Sequence, residues 1–192
     1  MKKHLTKFAI AGTAMLLCSV HHAVAGQSNF MTTAGYTSQP IGHHKYCQQY
    51  SSDCRIKSSD TSAPELTRER WKQLVDINAY SNNTVKPVTD QEAYNTEEHW
   101  TYPTSYGDCE DYVLMKRHML MQAGWPASSL LITVVRQPNG EGHAVLTART
   151  DRGDFILDNM ESKIKLWNKT PYKFLKRQAE NHSGRWIALN DT

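Results

Sequence analysis

Long apolar runs are nearly absent from this sequence. The one uncharged apolar stretch, Phe8 to Val20, is shorter than the about 20 residues that a membrane-spanning helix needs. Lys2, Lys3 and Lys7 precede it, and Ala23-Val24-Ala25 follows with the small-x-small form of a cleavage site. Residues 1–25 therefore read as a secretory signal peptide, and no membrane span is expected in the mature chain. Leu17 is too bulky for lipoprotein processing at Cys18, so Cys18 is expected to leave with the signal. A charge excess is also lacking. The formal charge of +3 comes from the three leader lysines, and without residues 1–25 the chain holds 19 basic and 19 acidic side chains. That balance leaves no overall charge argument for a nucleic-acid or anionic-membrane partner.

Cysteine is scarce. Three remain after the leader, and Cys47 and Cys54 lie close enough in sequence to close a small disulfide loop in an oxidising compartment. Cys109 is then the odd thiol. There is no second close Cys pair, no His pair at zinc-binding spacing and no EF-hand pattern, which argues against a structural zinc site or a helix-loop-helix calcium loop. Enough chain remains for one respectable core.

What is present divides by pattern. Residues 26–60 are rich in Ser, Thr, Gln and Gly with little periodicity, and are expected to form an extended arm ahead of a domain over 61–192. Ser62-Ala63-Pro64-Glu65 has the form of a capping box and predicts a helix over 64–78, with Trp71, Leu74, Val75 and Asn78 as a core stripe. Residues 81–107, with Asn82-Asn83, Pro87 and Pro103, predict a long irregular connection able to line a cleft. A second helix should begin near Asp108 and stop at Gly124. Strands are expected over 130–136, 143–149 and 154–158, separated by Pro138-Asn139-Gly140 and Asp151-Arg152-Gly153. Trp186 to Leu189 suggests a last strand, while 173–181 reads equally as helix or loop.

Cys109, His143 and Asp158 follow one another as nucleophile, base and orienting acid. A helix N-terminus favours a thiolate at Cys109, and strand alternation puts His143 on one face and Ala144, Leu146 and Ala148 on the other, taken as the core face. If the turn is Thr150 to Gly153, Asp158 lies opposite Val145 and diagonal to His143, within reach of its side chain; a tighter turn would carry it away. The Cys109 helix is then expected to cross the face that carries His143. The Cys109 N–H supplies one oxyanion donor, with Trp100, Tyr102 and Tyr106 as candidates for a second. Asp108, Glu110 and Asp111 oppose a thiolate and call for a counter-charge: a hard cation such as calcium on their oxygens, or, in the plainer reading, solvation of helix-start acids.

Three blocks, Gly107-Asp108-Cys109-Glu110-Asp111-Tyr112, Gly140-Glu141-Gly142-His143-Ala144-Val145-Leu146-Thr147 and Gly153-Asp154-Phe155-Ile156-Leu157-Asp158-Asn159, resemble the bacterial transglutaminase-like cysteine proteinases, the LapG-type periplasmic proteases. Trp71, Trp167, Arg177-Gln178 and Trp186 extend the resemblance, which is weak over 26–60. It implies an α+β fold with a papain-like, transglutaminase-like core, in which the catalytic Cys heads a helix packed on an antiparallel sheet carrying His and Asp. It also implies a Cys109–His143–Asp158 triad, a periplasmic setting, and calcium dependence through Asp108, Glu110 and Asp111. The substrate so implied is a large surface adhesin cut near an alanine pair to control biofilm attachment, with an inner-membrane cyclic di-GMP receptor as inhibitor. The same triad would serve transglutaminase or amidase acyl transfer, and a non-catalytic calcium-responsive binding module is the alternative outside enzymology.

Overall fold

Asp108 has the extended backbone of an N-cap, so helix α4 (Cys109–Gln122) starts at the cysteine; Gly124, at φ +90°, ends it in the left-handed conformation that glycine takes without strain. The computed structural model describes residues 28–190, so the expected leader lies outside the described residues. Before α4 come β1 (Thr32–Thr37), α1 (Ile41–Gln49), α2 (Arg68–Thr84), β2 (Lys86–Pro87), α3 (Asp90–Tyr94) and β3 (Tyr106–Gly107). After it come β4 (Leu130–Arg136), β5 (Gly142–Thr150), β6 (Gly153–Leu157), β7 (Lys165–Leu166), β8 (Lys173–Ala179) and β9 (His182–Asn190). Seven strands form one sheet in the order β1-β9-β8-β4-β5-β6-β7, and every pairing in it is antiparallel. Among the described residues no helix is long and apolar enough to cross a membrane.

The sheet is buried on both faces. Ala144, Leu146 and Ala148 of β5 join Val113, Leu114 and Leu120 of α4 in the larger core cluster, while Val145, Ile156, Phe174, Val135 and Trp167 form a second cluster. Helix α4 thus covers the face opposite His143, which corrects the expected placement. Alternation marks the face of Ala144, Leu146 and Ala148 as core, as found, but both faces of β5 are buried, Ala148 and Val145 alike, so packing decides which one the helix covers. Helix α2 packs beside α4, and its inward line is Leu74, Asn78 and Ser81. Trp71 and Val75 are 37% and 41% exposed, so the expected stripe is only half core.

Other differences have local causes. The arm expected over 26–60 is built into the domain: β1 pairs with β9, and α1 carries the buried Gly42, His43 and Tyr46. Helix α2 begins at Arg68 under a Thr67 side chain that accepts from the Arg70 N–H, a cap worth about 1 kcal/mol. The expected start at Pro64 fails because Ser62 bonds back to Asp60, while the Pro64 carbonyl and the Leu66 N–H are tied to Asp151 at the β5–β6 turn. The connection over 81–107 is shorter and more ordered than expected, since α2 runs to Thr84, α3 follows, and β2 pairs with β3 in parallel. Residues 173–181 are mostly strand β8, whose Arg177 and Gln178 are buried and whose polar composition hides a strand from periodicity.

Candidate active site

The β5–β6 register decides whether a triad exists. Thr150 pairs with Gly153 and Leu146 with Leu157, which is the turn that places Asp158 one position beyond, level with Val145. His143 Nε2 and Asp158 Oδ1 are then 2.9 Å apart, with both side chains buried. The same carboxylate accepts from the Met160 N–H (3.0 Å) and, on Oδ2, from the Tyr172 hydroxyl (2.5 Å), whose ring also packs edge-on to His143. Burial raises the Asp158 carboxyl, but the hydrogen bond and charge of His143, then Tyr172 and Met160, outweigh it and hold Asp158 below the usual carboxylate range. With Nε2 committed to Asp158, Nδ1 is the imidazole nitrogen left to face a nucleophile.

Cys109 is the only free cysteine among the described residues, because Cys47 and Cys54 form a disulfide. Cys109 and His143 line one cavity of about 350 Å³, together with Trp100, Glu98, Glu110 and Ala144. The Ala144 N–H lies 3.4 Å from Cys109 Sγ, and the thiol donates to Glu110 Oε2 at 3.1 Å. Burial pushes the thiol well above its ordinary value, and the Glu110 charge and hydrogen bond add to the shift. Burial and Glu110 therefore oppose the preference for a thiolate that the helix start gives Cys109.

The acids beside it are equally far from ordinary. Burial and then the Asp108 charge push Glu110 up to about 9; burial, with the charges of Asp108 and Asp90 adding, pushes Asp111 up to about 8 against the bond from the Thr101 N–H. Asp108 is raised by burial and by Asp90. Asp90, Asp108 and Glu110 each offer an oxygen within 4.8 Å of the others. Asp108 Oδ1 and Asp111 Oδ2 are buried without a hydrogen-bond partner among the described residues. Orphaned buried carboxylate oxygens in a cluster of like charge fit a hard divalent cation. Asp111 stands slightly apart from the three: its Oδ1 accepts from the Thr101 N–H at 2.8 Å and so fixes the cavity wall. Asp90 escaped sequence reasoning, although Thr89-Asp90-Gln91-Glu92 is a capping box that announces α3 and puts Asp90 in its first turn. Tyr172 had no sequence signal at all.

Of the three oxyanion candidates, only Trp100 reaches the cavity, and its Nε1–H is committed to Glu98 Oε2 at 2.7 Å. The Tyr102 hydroxyl is bonded to Asp53, and Tyr106 lies in β3 beside Tyr94. The Ala144 N–H is a backbone donor set against the sulfur, and the Cys109 N–H opens helix α4 beside it. Behind the triad, α4 buries Lys116 completely, 5.7 Å from the Tyr112 ring and without a hydrogen-bond partner among the described residues; burial lowers it to about 7 despite the Asp158 charge.

No curated protein matches the sequence. Solved structures do. Legionella pneumophila LapG in its calcium-bound form superposes with a TM-score of 0.54 at 28% identity, over 62% of this chain and 68% of that one. Two further Legionella pneumophila LapG structures, one of them EGTA-treated, align at 24% and 22% identity with TM-scores of 0.50 and 0.53, covering 79% and 81% of this chain and 82% and 84% of theirs; at that identity they speak for the fold alone. The family model for the bacterial transglutaminase-like cysteine proteinases matches residues 33–192, which takes in α4 and all of the sheet but the first residue of β1. The α+β fold with a cysteine at a helix start against an antiparallel sheet is the arrangement expected of a cysteine peptidase, and this chain belongs to the bacterial transglutaminase-like cysteine proteinases.

Proposed function

We propose that this chain is a calcium-dependent periplasmic cysteine endopeptidase with Cys109 as nucleophile, His143 as base and Asp158 as orienting acid. The observation that supports it best is the buried 2.9 Å His143–Asp158 bond, which leaves the other imidazole nitrogen for a thiol in the same cavity. His143 Nδ1 takes the Cys109 proton, and Asp158 holds the ring in the productive tautomer and balances the charge that forms. The sulfur attacks the scissile carbonyl carbon, and the oxyanion that develops lies against backbone N–H groups at the start of α4. His143 returns the proton to the departing amine, leaving a thioester on Cys109. A water deprotonated by His143 then hydrolyses the thioester.

Asp108, Glu110 and Asp90, with Asp111 behind them, are the residues that would hold calcium, and the bound ion would neutralise the carboxylates that keep Cys109 protonated. The calcium-bound Legionella pneumophila LapG structure supports this assignment. Residues 1–25, read as a secretory signal, support a periplasmic setting, and the proposed substrate there is a large surface adhesin cut near an alanine pair. An inner-membrane cyclic di-GMP receptor is the matching inhibitor.

Wild type and Cys109→Ala, incubated with the secreted and surface proteins of the host, separate the possibilities by mass spectrometry. New chain termini with wild type alone are expected. Crosslinked or deamidated products without cleavage would replace the peptidase reading with acyl transfer.

A further inference from the structure

The disulfide and its neighbours lie outside the catalytic constellation, yet they hold one wall of it. Residues 98–103 belong to no helix or strand, so side-chain contacts set their position. On one side this segment faces the site: Glu98 and Trp100 line the Cys109 cavity, the His99 N–H donates to Asp90, and the Thr101 N–H donates to Asp111. On its other side it rests on α1 and the loop closed by Cys47 and Cys54. Gly42 of α1 leaves no room for a Cβ against Trp100 and Glu98, and His43 packs edge-on to Trp100 at 5.5 Å. The Tyr50 hydroxyl is 3.3 Å from Thr101 Oγ1, and the hydroxyls of Tyr102 and Tyr46 both donate to Asp53 Oδ2 at 2.5 Å. Glu98, Trp100, Thr101 and Tyr102 are thus all seated from below, with Asp53 adjacent to the bridged Cys54.

We propose that the Cys47–Cys54 loop is a positioning device for the active-site wall and that Asp53 is its positioning residue, acting through Tyr102 on the segment that backs Cys109 and the acid cluster. The proposal rests on the peptidase reading for its functional consequence. Covalent closure limits the conformations open to residues 48–53, and so keeps the Asp53 carboxylate where both hydroxyls reach it. Loss of that anchor frees Tyr102, and with it the Thr101 amide that orients Asp111.

Hydrogen exchange read by mass spectrometry on the whole mature chain tests this with Asp53→Ala, Asp53→Asn and the double variant Cys47→Ser/Cys54→Ser. The Ala and double variants should exchange about tenfold faster over residues 98–102, the equivalent of one charge-assisted hydrogen bond, with β4 and β5 as protected as in wild type. Asp53→Asn, which keeps an oxygen acceptor, should recover part of the protection. Calcium titration by calorimetry should show a raised midpoint in the Ala and double variants, and Cys109 should alkylate more slowly at saturating calcium. Unchanged exchange over 98–102, or loss of protection throughout the sheet, would overturn the proposal. So would a loosened wall with wild-type calcium midpoint and thiol reactivity. A wild type whose Cys109 is inert with calcium would refute the peptidase reading instead, and the exchange pattern would then decide the anchoring by itself.

Discussion

Asp158→Asn is the substitution that tests the proposed triad most directly. The carboxylate accepts three hydrogen bonds, from His143, Tyr172 and Met160, and an amide of the same size can replace only part of that set. If the asparagine turns its nitrogen toward His143, Nε2 must accept, and the ring proton moves to Nδ1, the nitrogen that should receive the Cys109 proton. If it turns its oxygen, the tautomer survives and only the charge is lost. A charge-assisted bond is worth about 1.5–3 kcal/mol, and a full charge pair at the observed 2.9 Å, with an effective dielectric of about 20, reaches about 6 kcal/mol. At about 1.4 kcal/mol per decade, the rate should fall by roughly tenfold at least and on the order of 10⁴-fold at most. The assay is Cys109 alkylation in calcium together with cleavage of host surface protein, read against pH. Because the native carboxyl lies below its usual range, its contribution to stability is present above about pH 4 and is lost as pH falls through the depressed value. Wild type and variant should therefore converge in stability toward acid. A folded variant within threefold of wild-type rates across the pH range would refute the role of Asp158.

Chelation of calcium should lower the melting temperature by about 5–10 °C if the site is filled to about 100 times its dissociation constant, and scanning calorimetry with and without EGTA measures it; an unchanged melting temperature removes calcium from the account. Gly107→Ala should cost about 1–3 kcal/mol in chemical denaturation and weaken calcium binding, because the new Cβ would lie 2.7 Å from the Asp111 carboxylate and 2.8 Å from its Cβ. Lys116→Met should stabilise the fold at pH 6. Burial lowers this ammonium to about 7, so the folded chain sheds a proton that the unfolded chain keeps up to about 10.5, and the Lys116 contribution to stability rises across that interval. Urea melts at pH 6 and pH 9 should show the advantage of the variant over wild type shrinking between them, a difference in which the opposite contributions of Glu110 and Asp111 cancel; a less stable variant at pH 6 would show the ammonium to be held by favourable contacts.

Much of the machinery is legible in the chain, because its signals are local. The helix start at Asp108, the stop at Gly124, the strands on either side of Asp151-Arg152-Gly153 and the pairing of Cys47 with Cys54 each depend on a few adjacent residues, and each appears where local chemistry predicts it. The His143–Asp158 approach follows from strand period only once Thr150 pairs with Gly153, and the fold makes that choice between the two turns the sequence allows. Where the pattern is ambiguous, distant partners decide. β5 is buried on both faces, so only packing shows that α4 lies opposite His143. Ser62 and Glu65 could have capped a helix, but Asp60 and Asp151 take their segment out of it. The ionic state of the site is the clearest case. A helix start favours a thiolate, yet burial, with the neighbouring Glu110 and Asp108, favours the thiol, and only the fold supplies that burial. The order of Cys109, His143 and Asp158 is written in the sequence; whether the thiol ionises depends on desolvation and on neighbours that only the tertiary structure supplies.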